Sequence, residues 1–70
     1  MLTERQIDFI SMAATLYLPQ GQDVKSFFRS VGNRLKQHPS DHDVRAAVRF
    51  VLACHGIALG SDALVKRVRP

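Results

Sequence analysis

Pro19 and Pro39 confine any helix in this chain to short segments. A proline lacks the backbone donor, and it pushes the residue before it out of the α region. Gly56 adds a third break, since glycine is the usual residue just past a helix C-terminus. None of the resulting pieces would be stable as a lone helix in water, so the fold must pack several short amphipathic helices together.

Cap chemistry agrees with those breaks. Thr3 followed by Gln6 is a capping-box pattern, and the first segment is expected to run to about Leu18. Asp23 caps a second segment that reaches roughly Gln37, with Val24, Phe27, Phe28, Val31 and Leu35 on one apolar stripe. Ser40 caps the third, with Asp41 and Asp43 at its positive end and Val44, Ala47, Val48, Val51 and Leu52 on one face. Phe50 and Ala46 extend apolar character around that helix, which predicts a central, mostly buried element, with His55 packed into its apolar face. Ile57 and Leu59 are expected to tuck onto the core. Ser61 caps a short last helix with Leu64, Val65 and Val68 available for packing. The sequence thus reads as one all-α domain over residues 1–70, a compact bundle of three main helices plus a short C-terminal fourth helix.

Seventy residues can bury only a small core, and the usual reinforcements are missing. Cys54 is the single cysteine, so neither an internal disulfide nor a cysteine-based zinc site can form. A lone thiol suits a reducing cytoplasm, and cytoplasmic localisation is the expectation. Glu4 and Asp8 spoil a secretory signal, and no apolar run approaches the length of a membrane span, so no membrane partner is expected.

Catalytic signatures are absent by pattern. There is no Gly-rich phosphate loop, serine elbow or carboxylate pair. Cys54 and His55 are adjacent, so on a helix they point about 100° apart and do not make a nucleophile–base pair. His38, Asp41, His42 and Asp43 resemble a ligand cluster, but Pro39 interrupts it, and helix capping accounts for its members. The expectation is a protein that is not an enzyme, with no cofactor, no metal and no small-molecule substrate.

Charge is the informative feature. The net charge is +4, and residues 21–40 hold Lys25, Arg29, Arg34 and Lys36 against Asp23 alone. If the second helix reaches Gln37, Lys25, Arg29 and Lys36 fall within about 40° of one another with Asn33 beside them. Such a row can neutralise successive phosphates, and Lys66, Arg67 and Arg69 add a basic tail. A helix-turn-helix, with its tight turn at His38–Pro39, would instead aim Asp41 and Asp43 at the polyanion. The second helix is therefore the expected contact with DNA or RNA. Gly32, which costs about 1 kcal/mol against alanine in a helix, is read as a point of close helix packing.

The first segment has more apolar surface than one small core can use. Ile7, Ile10, Ala13, Ala14 and Tyr17 form its inner face, and Phe9, Met12 and Leu16 extend the band past half the circumference. Self-association through Phe9, Met12 and Leu16 is expected, either as a homodimer or with another protein. The alternative to nucleic-acid binding is an adaptor or inhibitor whose basic face docks an acidic protein surface.

Overall fold

Thr3 opens the first helix, α1 (Glu4–Tyr17). Its Oγ1 accepts from the Gln6 N–H at 3.1 Å, and Gln6 Oε1 accepts from the Thr3 N–H at 2.9 Å, completing the capping box. The computed structural model describes residues 1–57, and these form three helices with no strand among them. The fourth helix expected after Ser61, with Leu59, Leu64, Val65 and Val68, lies outside the described residues.

Leu18 ends α1 in an extended conformation, as a residue before proline should. The chain then reverses through a turn in which the Gln22 N–H donates to the Pro19 carbonyl at 3.2 Å and Gly21 takes φ +94°. Asp23 caps α2 (Val24–Asn33), its Oδ1 accepting from the Lys25 and Ser26 N–H groups at 2.9 and 3.3 Å. Ser40 and Asp43 form a second capping box at the start of α3 (Asp41–Cys54). Gly56, at φ +82°, closes α3. Its N–H bonds the Ala53 carbonyl while the Ile57 N–H reaches back to Leu52, the paired bonds of a Schellman motif.

Each helix packs on the other two. α1 contributes Ile10, Ala13 and Ala14 to the core, α2 contributes Phe27 and Val31, and α3 contributes Val44, Ala47, Val48, Val51 and Leu52. Phe9, Tyr17, Leu18, Phe28, Leu35 and Ile57 lie half-buried against this cluster. One buried polar side chain ties the bundle together. Gln6, only 6% exposed, donates from Nε2 to the Pro39 carbonyl and to Asp41 Oδ1, both at 3.0 Å. The N-terminal ends of α1 and α3 are thereby locked side by side.

Five expectations need correction. α2 stops at Asn33, not Gln37. Gly32 and Asn33 are weak helix formers, and the Arg34 and Leu35 N–H groups bond back only three residues, which tightens and ends the helix. α3 is not buried around its circumference: Ala46, Arg49, Phe50 and Ala53 form an exposed strip. Two partners cover one side of a helix and leave the other in solvent. His55 sits past the last turn of α3 and is exposed, its ring 6.5 Å from that of Phe27. Gly32 is not a packing point, because a Cβ there would meet nothing within 4 Å. Within α1, Phe9 is half-buried against the core, whereas Ile7 of the supposed inner face is exposed.

Candidate nucleic-acid interface

The exposed face of α2 begins at its cap. Asp23 is the one carboxylate within residues 21–40, and its Oδ1 is already committed to the Lys25 and Ser26 amides. Lys25 and Arg29 follow one turn apart and are exposed, and Asn33 is exposed one further turn along. Gly32 lies on the same side, within about 20° of Lys25 on a helical wheel, so the backbone is bare between the polar side chains. No carboxylate among the described residues forms an ion pair with these cations.

Lys36 departs from this row. With α2 ended at Asn33, it lies in the connection at 34–40 and is exposed there. The connection also rules out the expected tight turn: seven residues separate α2 from α3, more than the three or four of a helix-turn-helix. Asp41 and Asp43, which begin α3, are engaged by Gln6 and Ser40. Lys66, Arg67 and Arg69 lie outside the described residues.

Arg34, the C-cap residue of α2, packs against α3. Its guanidinium carbon sits 3.5 Å from the centroid of the Phe50 ring, a cation–π stack on a side chain that is 49% exposed. Beside this stack is a cleft of about 340 Å³ lined by Arg34, Leu35, Lys36, Asp43, Ala46, Ala47 and Phe50. Hydrogen bonds from the Ser40 backbone and side chain hold the Asp43 carboxyl below the ordinary aspartate range, with the charges of Lys36 and His42 acting in the same direction. Asp43 is therefore ionised at neutral pH. The cleft joins an apolar floor, two cations and one carboxylate.

Sequence reasoning reached Lys25, Arg29, Asn33 and Lys36 but missed Arg34 and Phe50. A signal for Phe50 was present: it lies about 160° around α3 from Val48 and about 120° from Val44, away from the centre of the buried face. For Arg34 the signal was its place about 20° from Phe27 around α2, on the side that faces the bundle. On α1, Met12 and Leu16 stand 48% and 44% exposed, one turn apart, as the expected association surface requires, while Phe9 offers only part of its ring.

Among the described residues, no group of three or more His, Cys, Asp or Glu side chains is placed to hold a metal ion. No helix among them is long and apolar enough to cross a membrane. What the fold and surface define is a three-helix bundle with a basic face beside an aromatic cleft. Comparison of the chain with family models, with curated proteins and with solved structures finds no match.

Proposed function

We propose that this chain is a small non-enzymatic binding module of the cytoplasm that holds nucleic acid on the exposed cations of α2 and its exit. The observation that carries this reading is the run Lys25, Arg29, Arg34 and Lys36, all exposed, against two nearby carboxylates that both serve as helix caps: Asp23 at the start of α2, and Asp43 beside Arg34 and Lys36. Phosphate contacts of this kind supply affinity through counterion release and need no fixed sequence. Asn33 adds a neutral donor, and the bare backbone at Gly32 lets a sugar–phosphate chain approach closely. Lys66, Arg67 and Arg69 add further positive charge from the tail.

Fluorescence anisotropy with labelled oligonucleotides at several salt concentrations tests the reading. Affinity should fall steeply with salt. Replacing Lys25, Arg29 and Lys36 together by Gln should weaken binding to all sequences alike and lower the salt slope by about 2–3, the share of three phosphate contacts. A folded protein that binds no nucleic acid at low salt sinks the reading in favour of an acidic protein surface as the partner.

Self-association through α1 belongs to the same proposal. Met12 and Leu16 form an apolar ridge that a second copy of the helix would bury, with the free edge of Phe9 beside it. Light scattering after size exclusion should show a homodimer that becomes monomeric when Met12 and Leu16 are replaced by Gln. A monomer at high micromolar concentration would refute it.

A further inference from the structure

We infer that the cleft between the exit of α2 and the exposed side of α3 takes one unstacked base of a single-stranded nucleic acid, with the adjoining phosphate on its cationic rim. The inference rests on the nucleic-acid reading and goes beyond it, because phosphate binding by α2 alone would not distinguish one strand from two.

The cleft combines three chemistries that a nucleotide also combines. Its floor, with Leu35, Ala47 and Phe50, is apolar and includes a half-exposed aromatic ring. Its rim carries Arg34 and Lys36. Its third component is Asp43, an exposed carboxylate whose Oδ2 accepts from the Ser40 N–H. A base has an apolar face for the floor and amino or ring N–H groups at its edge for the remaining lone pairs of the carboxylate. Its phosphate, repelled by Asp43, belongs at the rim.

The Arg34–Phe50 stack strengthens the match. A guanidinium lying on an aromatic ring holds its plane fixed, and such planes serve as stacking surfaces for splayed bases. Duplex DNA keeps its bases paired, so it would use only the rim and leave the floor empty. A base-free polyanion, including an acidic peptide without large side chains, would do the same and would also meet Asp43. The position of the cleft supports the assignment too. Arg34 and Lys36 follow the last residue of α2 within three positions, so the cleft rim and the α2 cations belong to one stretch of chain.

The test compares four labelled probes on the whole chain by anisotropy: a single-stranded oligonucleotide, a duplex of the same length, an abasic strand of the same length, and polyglutamate. The intact single strand should bind more tightly than the other three. Phe50→Ala should reduce its affinity by about 5- to 150-fold, the range carried by one base–aromatic stack, and leave duplex and abasic binding unchanged. Phe50→Trp should restore the preference. Lys25→Gln with Arg29→Gln should weaken strand, duplex and abasic probe together and keep their ratio. Circular dichroism of each variant reports whether it is folded. Equal binding of the intact and abasic strands, or an unaffected Phe50→Ala, overturns the base site and leaves the α2 reading standing. Polyglutamate bound as tightly as the single strand also overturns it. No binding of any nucleic acid by the folded protein overturns both.

Discussion

Phe27→Ala is expected to abolish the cooperative thermal transition of this chain. Phe27 is 1% exposed and contacts the core between α1 and α3, where it heads the fully buried side chains by volume. Truncating a buried phenylalanine costs about 3–5 kcal/mol, part from lost transfer energy and part from the cavity left behind. A domain of this size gains only about 3–5 kcal/mol from its whole core, and its single cysteine cannot form an internal disulfide to reinforce it. The two magnitudes are equal, so the variant should sit near zero stability. Valine at 24, half-exposed on the same helix, is the internal control: Val24→Ala should cost less than about 1 kcal/mol. Circular dichroism against temperature separates the outcomes. A Phe27→Ala protein melting within a few degrees of the wild type would mean that the α2 interface is not where the stability resides.

The contrast between those two residues shows what periodicity can and cannot tell. Val24 and Phe27 belong to one apolar stripe in the sequence, and the structure buries only the second. A stripe gives directions around an axis, but depth depends on how far the neighbouring helices reach. The five apolar residues expected on one face of α3 are all buried, because α3 meets both partners along that face. Caps were legible for a related reason. Thr3 with Gln6, Asp23, and Ser40 with Asp43 act within three residues of one another, so local sequence specifies them completely.

Helix ends that depend on weak formers were harder to read. Nothing as strong as Pro39 marks Asn33, and extending α2 to Gln37 placed Lys36 in a row that the fold does not make. The Arg34–Phe50 stack was invisible for a deeper reason. Its members are sixteen positions apart, at the end of α2 and within α3, and meet only through the packing of α2 on α3. The cations of the candidate interface could be read from composition and spacing, while the cleft beside them could be found only in three dimensions.

Gln6 offers the second large effect, through polar rather than apolar burial. Its amide serves three partners at once: the Thr3 N–H, the Pro39 carbonyl and Asp41 Oδ1. Gln6→Leu fills similar space but strands all three. Neutral hydrogen bonds contribute about 0.5–1.5 kcal/mol net each and one to a charged group about 1.5–3, so two of the first and one of the second should total about 2.5–6 kcal/mol. That is comparable to the whole stability available to the domain. Gln6→Glu sharpens the test because it changes the shape little and replaces the donor with a second carboxylate beside Asp41. Burial and the neighbouring charge would raise the folded-state pKa of that glutamate above its unfolded value. Its protonated form can still donate to Asp41, so the variant should be more stable at mildly acidic pH. Stability should then fall as pH rises from the ordinary glutamate range through the raised value, the reverse of the trend for a paired carboxylate. Denaturant unfolding of both variants between pH 4 and pH 7, a window set by the ordinary glutamate pKa of about 4.3, reads this directly. Gln6→Glu should lose stability relative to wild type across that window, and Gln6→Leu should stay uniformly low. A Gln6→Glu protein with a wild-type pH profile would show that the link between the ends of α1 and α3 does not hold the bundle together.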